Sequence, residues 1–319
     1  MVVPAPPEAK THIMTKIAIV IVNWNGVADT EVCLASVAKL DKQGMEVETI
    51  VVDNGSTNDS VSRLSKAFPS VTILRLDENL GFTGGNNIGI RYAMKREADY
   101  VWLLNNDTIV DAKALSLVDA FKDTGVGVAG SKIYFAPGHE YHKDRYKKNE
   151  RGRVFWFAGG SIDWANVYAT HRGVDEVDDG QYDRKDDTGF VTGCSMMIKR
   201  AVLEKIGLLD DKFYLYLEDL DFCLRAKASG FRLLYYPGSV VWHVNAGSSG
   251  GAGNPIHDYY ITRNRLLVGM RYAAFRTKLA LVREAMRFLV RGNTEKKKAV
   301  TDFLTGKWGR QYEPKKINA

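Results

Sequence analysis

The stretch IAIVIVNWNG, residues 17–26, decides the fold. Its first six residues are apolar and mostly β-branched, which is the composition of a strand buried on both faces of a parallel sheet. The apolar run stops abruptly at the polar cluster Asn23-Trp24-Asn25-Gly26. The segment is therefore predicted to be a buried strand whose carboxyl end carries polar side chains.

Strands and helices alternate from this segment to about residue 104. Apolar runs of strand length recur, and segments with helical spacing separate them. The predicted strands are Ile17–Val22, Val47–Asp53, Val71–Leu76 and Tyr100–Leu104, and the predicted helices are Asp29–Leu40, Ser60–Phe68 and Gly85–Arg96. This alternation predicts an α/β fold with a doubly wound, mostly parallel central sheet flanked by helices.

Polar side chains follow all four predicted strands. They are Asn23, Asp53, Asn79 and the run Asn105-Asn106-Asp107. Because ligands bind at the carboxyl ends of the strands in such sheets, we expect these side chains to form one site. Each cluster alone has another explanation, since Asp53-Asn54-Gly55-Ser56 is equally typical of a turn followed by a helix cap.

A glycine-rich loop, Gly81–Gly89, follows the third predicted strand. A dinucleotide-binding fingerprint would follow the first strand and would have an acidic residue about twenty positions later, so the match to that motif is poor. The glycines nevertheless allow a ligand to approach the backbone closely. Asn86 and Asn87 are expected to donate hydrogen bonds at a helix start, where diphosphate oxygens are stabilised.

Asp107 ends an otherwise apolar strand and is a candidate metal ligand. A hard divalent cation such as Mg²⁺ or Mn²⁺ prefers oxygen ligands and is often shared with substrate phosphates. His243 is a candidate second ligand. A lone histidine after a tryptophan is more commonly packed or hydrogen-bonded, so that alternative stays open at this point.

Composition narrows the class of protein. The chain has 319 residues, of which 45% are hydrophobic, and this is ordinary for a globular protein with a sizeable core. A net charge of +6 is too mild for a typical nucleic-acid binder. Cys33, Cys194 and Cys223 lack the spacing of a zinc site or a disulfide framework, which favours a reducing, cytoplasmic compartment. No run approaches the roughly 18 apolar residues of a membrane-spanning helix.

Taken together, the motifs resemble the family-two inverting glycosyltransferases of the GT-A fold, and among them rhamnosyltransferase-like and galactofuranosyltransferase-like enzymes of surface polysaccharide assembly. The similarity extends from about Lys16 to about Met270. The loop Asn79–Asn87 is similar to the Asn-X-Gly-Phe-X-Gly-Gly-Asn-Asn element of rhamnosyltransferase-like members. Segments of the second half that also match are Phe190–Ile198, Ile206–Asp210, Leu217–Arg225 and Tyr235–His243.

The resemblance implies roles for residues on the donor side. Asp53 matches the family's nucleotide-contacting aspartate. Asn105-Asn106-Asp107 stands where the family has an Asp-X-Asp metal motif, which makes Asp107 a metal ligand and places Asn105 and Asn106 near ribose or diphosphate. The other residues expected to bind the donor are Asn23, Asn25, Asn79, Gly81, Phe82, Gly85 and Asn86.

On the acceptor side, the resemblance makes Asp219 of the pair Glu218-Asp219 the general base. It makes His243 the histidine that completes the metal site. The residues expected to support acceptor binding are Glu218, Trp242, Arg263 and Asn264. Without the resemblance, residues 218–221 are more typical of an acidic first helical turn, and Asp221 is assigned to that structural role.

The chemistry of glycosyl transfer needs the same groups. Displacement at an anomeric carbon requires a base for the acceptor hydroxyl and a stabilised diphosphate leaving group on the opposite face. A carboxylate serves as the base and contributes about 10²–10⁴ in rate. A metal ion acting as a Lewis acid stabilises the diphosphate. A single displacement of this kind inverts the anomeric configuration.

These observations predict a metal-dependent inverting glycosyltransferase. The resemblance alone favours a reaction that moves L-rhamnose from dTDP-rhamnose to a hydroxyl of a cell-surface polysaccharide or lipid-linked glycan, and it leaves UDP-galactofuranose, UDP-glucose and UDP-N-acetylglucosamine as alternative donors. A competing class, the nucleotidyltransferases, would usually carry a basic glycine-rich loop where Asn23–Gly26 stands. The presence of Asp53, Asp107, Asp219 and His243 together argues against a non-catalytic glycan-binding protein, because such a protein needs neither a base nor a metal ligand. Nucleic acid is not an expected partner.

Four segments are predicted along the chain. They are a flexible leader at 1–15, a nucleotide-sugar-binding half at 16–133, an acceptor-binding and catalytic half at 134–262, and a basic helical extension at 263–319. Residues 134–187 are the least regular part, which favours a mobile lid or an acceptor-shaping hairpin. Trp156, Trp164 and His171 within it either line a sugar-binding cleft or anchor the loop to the core.

The C-terminal extension contains an amphipathic segment. Arg283, Arg287 and Arg291 share one helical face, and a second face carries Leu279, Val282, Met286 and Leu289. This pattern is typical of a helix that lies on an anionic membrane surface, which would place the protein peripherally at the inner face of the cell membrane. It is more commonly the pattern of a helix that covers the protein core.

Overall fold

The structure is a computed structural model, and it describes residues 14–244 and 254–313. The predicted leader lies almost entirely outside these residues. The strands are β1 (Lys16–Asn23), β2 (Glu46–Asp53), β3 (Thr72–Arg75), β4 (Tyr100–Leu104), β5 (Thr108–Val110), β6 (Val126–Phe135), β7 (Phe155–Phe157), β8 (Gly160–Asp163), β9 (Tyr168–His171), β10 (Asp186–Asp187), β11 (Ser195–Lys199) and β12 (Arg232–His243). The α-helices are α1 (Val27–Val37), α2 (Ser60–Ala67), α3 (Gly81–Lys95), α4 (Arg200–Ile206), α5 (Glu218–Ala228), α6 (Pro255–Tyr272), α7 (Phe275–Arg291) and α8 (Thr294–Leu304).

One mixed sheet runs through the molecule in the order β10-β12-β6-β11-β4-β1-β2-β3. The strands β3, β2, β1 and β4 are parallel, as the alternation of strands and helices predicted. β11 lies antiparallel between β4 and β6, and β6 and β12 are parallel to each other. The predicted α/β fold with a largely parallel central sheet is confirmed, and β11 is the strand that joins its two halves.

The central strands are buried because helices cover both faces of the sheet. Every residue from Ile17 to Ile21 is at most 2% exposed, which explains why β1 reads as a continuous apolar run. Trp102 of β4 is fully buried, and its indole nitrogen donates to Ser195 Oγ of β11 at 3.0 Å. A buried aromatic side chain of this size contributes on the order of 2–3 kcal/mol. The buried residues of β1 and β4 thus directly precede the carboxyl ends of these strands.

Residues 134–187 are more regular than the sequence indicated. β7 pairs with β6, and β10 pairs with β12. β8 and β9 form a separate antiparallel hairpin. Lys132 Nζ binds Asp178 Oδ2 at 2.8 Å inside the protein, and Asp178 also accepts a hydrogen bond from Tyr134. The hairpin that the sequence offered as one alternative is present, and buried ionic contacts fasten the segment to the sheet.

Three long helices, α6 to α8, form the C-terminal part. α8 packs on α6, and α7 packs against both of them. The predicted segment boundaries at 133/134 and 262/263 fall inside β6 and α6, so the sheet and α6 run continuously across them. Among the helices at 14–244 and 254–313, none combines the length and apolar character needed to cross a bilayer.

Candidate functional site

Asn23 and Asp53 lie side by side at the carboxyl ends of β1 and β2. Asn23 Nδ2 donates to Asp53 Oδ2 at 2.8 Å, and Asn23 Oδ1 accepts from Thr30 Oγ1 at 2.9 Å. Asp53 Oδ1 accepts from the backbone amide of Ser56 at 3.0 Å. Both Asn23 and Asp53 are fully buried, so they fix the two strand ends relative to each other. Asp53 Oδ1 therefore caps a turn, as one of the two explanations from the sequence predicted, while Oδ2 bonds to the neighbouring strand.

Asn25 connects the loop after β1 to the loop after β2. Its side-chain oxygen accepts from the amide of Thr57 at 2.9 Å, and its backbone amide donates to Ser56 Oγ at 2.9 Å. Asn25 has a φ of 56°, a left-handed conformation that asparagine adopts more readily than most residues. It is exposed at the edge of the sheet and is therefore accessible to a ligand.

Asn54 holds the loop that the sequence assigned to the donor. Asn54 Nδ2 donates to Asn79 Oδ1 at 3.0 Å and to the carbonyl of Gly81 at 2.9 Å, and Asn54 Oδ1 accepts from the amide of Leu80 at 2.9 Å. Asn79 Oδ1 also accepts from the amide of Gly81 at 2.8 Å. Sequence reasoning did not include Asn54 among the site residues. Its position next to Asp53 was the available signal.

Gly81 is required where this loop meets the second half of the chain. Its φ is +73°, and a Cβ atom there would lie 2.4 Å from the carbonyl oxygen and the ring of Tyr214. The amide of Thr83 donates to the same carbonyl at 3.2 Å. No side chain larger than hydrogen fits at this position, so the loop and Tyr214 are in direct contact. Tyr214 was not predicted as part of the site.

The position of α3 corrects one expectation. The helix begins at Gly81 instead of Gly85, so Asn86 and Asn87 lie in its second turn and not at its N-terminus. Asn86 Nδ2 donates to the carbonyl of Phe82 at 2.9 Å, and Asn87 Nδ2 donates to the carbonyl of Leu209 at 2.9 Å. Both side chains are buried, and their amides stabilise the protein in place of the expected hydrogen bonds at a helix start.

Asn105, Asn106 and Asp107 follow β4 beside the first two strand ends. The amide of Asn105 donates to the carbonyl of Cys194 at 3.0 Å, and Asn106 Nδ2 donates to Thr30 Oγ1 at 3.0 Å. Thr30 therefore joins Asn106 to Asn23. The four predicted strand-end clusters thus occupy one edge of the sheet. Asn79 is connected to this edge by its hydrogen bond with Asn54.

Asp107 and His243 meet at this edge. His243 is the last residue of β12, and this strand pairs with β5, which begins directly after Asp107. The Nε2 atom of His243 lies 3.2 Å from Oδ1 of Asp107. The His243 side chain is 7% exposed and the Asp107 side chain 14%. Burial, and to a smaller extent the charge of Asp107, raises the pKa of Asp29. One carboxylate and one imidazole therefore converge where a cation would be attracted.

A column of rings supports His243. Trp156 contacts the His243 ring edge-on with 4.5 Å between centroids, and it contacts the His171 ring on its other side at 4.4 Å. His171 Nδ1 lies 3.0 Å from the carbonyl oxygen of Trp156, and burial lowers the pKa of His171 to about 4. Trp156 and His171 thus anchor their segment next to His243, in keeping with the second of their two predicted roles. Trp164 belongs to the partly buried apolar shell of the core.

Asp219 lies in the first turn of α5 with both carboxylate oxygens hydrogen-bonded. Its Oδ2 accepts from the amide of Gly193 at 2.9 Å and its Oδ1 from the amide of Leu220 at 2.8 Å. Burial raises the pKa of Asp219, and these amides oppose the rise. Burial and the neighbouring charge of Asp219 raise the pKa of Glu218 well above its ordinary value. The two amides that donate to Asp219 favour its charged form, whereas burial and the charge of Asp219 both disfavour a charge on Glu218.

The backbone before Glu218 is strained. Tyr214, Tyr216 and Leu217 all have φ values between 66° and 69°. A non-glycine residue in such a conformation costs on the order of 1–3 kcal/mol and persists when its surroundings fix it. Three left-handed positions within four residues, directly before the pair Glu218-Asp219, indicate that this loop, which we call the 212–217 loop, is held in place by contacts from elsewhere.

Arg263 and Asn264 supply those contacts from α6. Asn264 Nδ2 donates to the carbonyls of Phe213, Leu215 and Tyr216 at 3.0, 2.8 and 2.9 Å. Arg263 Nη2 donates to the carbonyls of Lys212 and Phe213 at 2.9 and 2.8 Å. Both side chains are fully buried. They therefore support the 212–217 loop from behind, and contact with an acceptor would be indirect.

Trp242 also has a supporting position. Its indole nitrogen donates to the carbonyl of Gly152 at 2.9 Å, and its ring lies 6.3 Å from the ring of Tyr134. It fastens the segment around residue 152 to β12. The neighbouring His243 is thereby kept at a strand position that is packed on both sides.

The two carboxylates of the site are joined through the start of β11. Asn105, two residues before Asp107, bonds to the carbonyl of Cys194, and the preceding Gly193 bonds to Asp219. The thiol of Cys194 is buried, and the charges of both Asp107 and Asp219 help raise its pKa. A Cβ atom on Gly193 would lie 3.0 Å from the Phe82 ring and 3.7 Å from Asp219 Cβ. Phe82 and Asp219 therefore lie against Gly193, and the strand end that carries Asp107 is bonded to the neighbouring Cys194.

Comparison with known proteins identifies the family. The sequence profile named glycosyl transferase family 2 matches residues 18–207, which is more than half of the chain. The chain belongs to glycosyl transferase family 2. The matched range contains the strand ends with Asn23, Asp53 and Asp107, and it stops before Glu218-Asp219 and His243.

Curated relatives of this family 2 protein are distant. It is 23% identical over 228 residues to a low-salt glycan biosynthesis hexosyltransferase of Haloferax volcanii, covering 71% of the chain and 66% of that relative. It is 24% identical over 223 residues to N-acetylglucosaminyl-diphospho-decaprenol L-rhamnosyltransferase of Mycobacterium tuberculosis, covering 64% and 68%. It is 23% identical over 244 residues to a dTDP-rhamnosyl transferase of Shigella flexneri, covering 73% and 74%. The chain thus matches about two thirds of the length of the first two relatives.

Solved structures show the same fold. The crystal structure of GalNAc-T7 with UDP, GalNAc and Mn²⁺ superposes with a TM-score of 0.58 and 16% identity, covering 92% of this chain and 57% of the other. A mannosyltransferase from Pyrobaculum calidifontis in complex with GDP-Man and Mn²⁺ superposes with a TM-score of 0.54 and 17% identity, covering 92% and 75%. The family 2 chain therefore has the GT-A fold.

Proposed function

We propose that this family 2 protein is an inverting glycosyltransferase that uses Asp219 as its general base. The observation that carries the proposal is the arrangement of the two carboxylates. The Asp219 carboxylate accepts from the amide of Gly193 just before β11, and the carbonyl of the next residue, Cys194, accepts from the amide of Asn105, two residues before Asp107. A base and a group that stabilises the departing diphosphate are the two requirements of displacement at an anomeric carbon.

Asp107 and His243 are the residues that would hold a divalent cation. In the described part of the chain no cluster of three or more His, Cys, Asp or Glu side chains could bind a metal, so these two would share the ion with donor phosphates and water. Mg²⁺ and Mn²⁺ bind in this way, through a few protein ligands together with substrate oxygens. His243 Nε2 and Asp107 Oδ1 are 3.2 Å apart, so an imidazole nitrogen and a carboxylate oxygen are adjacent, and both are ligand types that fit such an ion. When bound, it neutralises charge on the leaving diphosphate.

The remaining steps fall to the protein's own groups. Asn25 and the loop at Asn79–Phe82 lie at the edge of the sheet, where they would contact the donor. Asp219 accepts the proton of the acceptor hydroxyl as the oxygen attacks the anomeric carbon. Two backbone amides donate to the Asp219 carboxylate and favour its charged form, whereas burial and the charge of Asp219 raise the pKa of Glu218, so Asp219 is the better placed of the two to act as the base. One displacement with one base leads to inversion of the anomeric configuration.

The favoured donor is dTDP-rhamnose. Two of the relatives above are named as rhamnosyltransferases, one of them specifically for dTDP-rhamnose. The acceptor that we propose is a cell-surface polysaccharide or lipid-linked glycan, handled on the cytoplasmic side of the membrane. UDP-linked galactofuranose, glucose or N-acetylglucosamine are the alternative donors.

Calorimetric titration tests this proposal. We would titrate dTDP-rhamnose and the three UDP-sugars with Mn²⁺ or Mg²⁺ present, and again with EDTA. Binding of one donor that needs the metal and is lost in Asp107→Ala would support the donor site. Absence of binding by every donor under both conditions would contradict the proposal and favour a non-catalytic remnant of the fold.

A further inference from the structure

The helix α7 has one face that packs against the protein. Leu281 and Ala285 are buried, and a Cβ atom on Gly269 of α6 would collide with Leu281 Cδ1 at 2.1 Å. Glu284, on the same side, binds the buried Arg265 at 2.8 Å. These contacts hold α7 firmly on α6, so the orientation of its other face is fixed.

The opposite face is apolar and uncovered. It carries six large side chains that are between 39% and 74% exposed. They form what we call the α7 strip: Phe275, Leu279, Val282, Met286, Leu289 and Val290. At 100° per residue they fall within about one third of the helix circumference. The four apolar residues singled out in the sequence belong to this strip, so the interpretation that they cover the core is wrong. Single exposed apolar residues are ordinary, but a contiguous strip indicates a binding surface.

Basic residues border the strip. Arg276, Arg283, Arg287 and Arg291 are exposed along one edge, and Lys278 lies on the other edge. Within residues 14–244 and 254–313 none of these five side chains forms an ion pair. The one acidic side chain of the helix, Glu284, points to Arg265 on the packed side. The surface is therefore apolar along its centre and positively charged at its margins.

We propose that the α7 strip docks this protein on a membrane surface that contains anionic lipids. The α-helix spans 17 residues, or about 25 Å, and a single helical face is about 10 Å wide. A strip of this size is several-fold smaller than the roughly 800 Å² per partner of a stable protein interface, which disfavours a second copy of the chain. A helix lying in the headgroup region needs only such a strip, with arginines placed at the level of the lipid phosphates.

Two neighbouring features place this surface beside the candidate site. A cavity of about 360 Å³ between α7 and the turn of the β8–β9 hairpin is lined by Arg283, Arg287 and Tyr168. β9 begins at Tyr168 and ends at His171, whose ring contacts Trp156, which in turn contacts His243. The hairpin therefore joins the docking surface to the metal-binding side of the site. An acceptor presented by the same membrane would then lie one short strand away from the candidate site. This statement about the acceptor rests on the proposed function, whereas the docking itself does not.

Sedimentation with vesicles tests the docking. The full-length protein would be mixed with vesicles of phosphatidylcholine alone or of phosphatidylcholine with phosphatidylglycerol, at low and high salt. We expect sedimentation with the anionic vesicles that weakens with salt. Val282→Ser/Met286→Ser and Arg283→Gln/Arg287→Gln should each lower the partition coefficient roughly tenfold or more, since the first removes apolar burial and the second removes two charges near the surface.

Matched variants on the donor half separate this surface from general effects. Val32 is 51% exposed on α1, and Lys39 and Lys66 are exposed basic residues. Val32→Ser and Lys39→Gln/Lys66→Gln should sediment like the unaltered protein. No sedimentation with anionic vesicles, or an equal loss in these controls, would overturn the proposal. So would a dimer in sedimentation velocity that Val282→Ser/Met286→Ser dissociates. Donor titration of each variant runs in parallel, so that failure of donor binding counts against the proposed function and not against docking.

Discussion

The two carboxylates of the candidate site are positioned in different ways. Asp107 follows β4 directly, and the neighbouring strand ends that surround it come from an unbroken series of strands and helices. Asp219 follows the strained 212–217 loop, which is held by Arg263 and Asn264 about fifty residues further along the chain. The proposed donor side is thus a product of local secondary structure, whereas the position of the proposed base depends on tertiary contacts. The two sides should respond differently to substitution.

The largest effect is expected where the two sides touch, at Gly81. Gly81→Ala adds a Cβ atom 2.4 Å from Tyr214 at a φ of +73°, while Gly44→Ala meets a φ of +77° with no atom within 4 Å. The left-handed conformation alone costs about 1–2 kcal/mol. The clash should add about 1–3 kcal/mol for Gly81→Ala. Chemical denaturation of both variants measures the difference, and equal losses would show that the contact with Tyr214 does not matter.

Asn264→Ala is expected to damage the base and spare the donor side. The carbonyls of Leu215 and Tyr216 lose this donor and the carbonyl of Phe213 keeps Arg263 as a donor, which should cost about 2–3 kcal/mol of folding stability. The transfer rate should fall while donor affinity measured by titration stays near that of the unaltered protein. Asn166→Ala, at an exposed asparagine bonded within its own turn, serves as the control. If Asn264→Ala weakened donor binding and transfer equally, the separation of the two sides would be wrong.

Asn54 provides the reverse test on the donor side. Asn54→Ala removes three hydrogen bonds to Asn79, Leu80 and Gly81, and we expect a stability loss of about 1–2 kcal/mol with a raised KM for the donor. Asn54→Asp keeps the acceptor for the Leu80 amide but sets carboxylate oxygens against Asn79 Oδ1 and the Gly81 carbonyl. It should weaken donor binding at least as much. Unchanged donor KM in both variants would remove this loop from the donor site.

The smallest effect should come from the ring column behind His243. Trp156→Ala leaves the imidazole without its edge-on contact, and we expect roughly tenfold weaker activation by Mn²⁺, in line with changes to groups that orient a metal ligand. Trp156→Phe retains a ring and should behave nearly as the unaltered protein. The concentration of Mn²⁺ that gives half-maximal donor binding is the measurement. An identical value in Trp156→Ala would show that His243 does not depend on this support.

The sequence predicted the parallel strands and the polar residues at their ends for a physical reason. β1, β2 and β4 are buried on both faces, so their apolar runs and polar ends are visible in the sequence, and parallel pairing then brings Asn23, Asp53 and Asp107 to one edge. Helix boundaries were less certain. The start of α3 at Gly81 depends on hydrogen bonds from Asn54, and Asn86 and Asn87 consequently lie in the second turn, where they bond within the protein.

The supporting contacts of the second half could not be read in the same way. Asn264 bonds to carbonyls, which every residue has, so no pattern near residue 213 reveals its partner. Tyr214 joins the site because Gly81 has no side chain, a contact that neither segment signals alone. The outward face of α7 was visible as a pattern, but a face that covers the core has the same spacing, and burial was needed to distinguish them.

The role of Asp219 is the central claim, and Asp219→Asn tests it most directly. The amide keeps the shape of the side chain but cannot accept the hydroxyl proton. Release of nucleoside diphosphate in the presence of acceptor would be measured together with metal-dependent donor binding. We predict transfer lowered about 10²–10⁴-fold with donor affinity unchanged. Transfer at the unaltered rate, or loss of donor binding in parallel with transfer, would contradict the assignment of Asp219 as the general base.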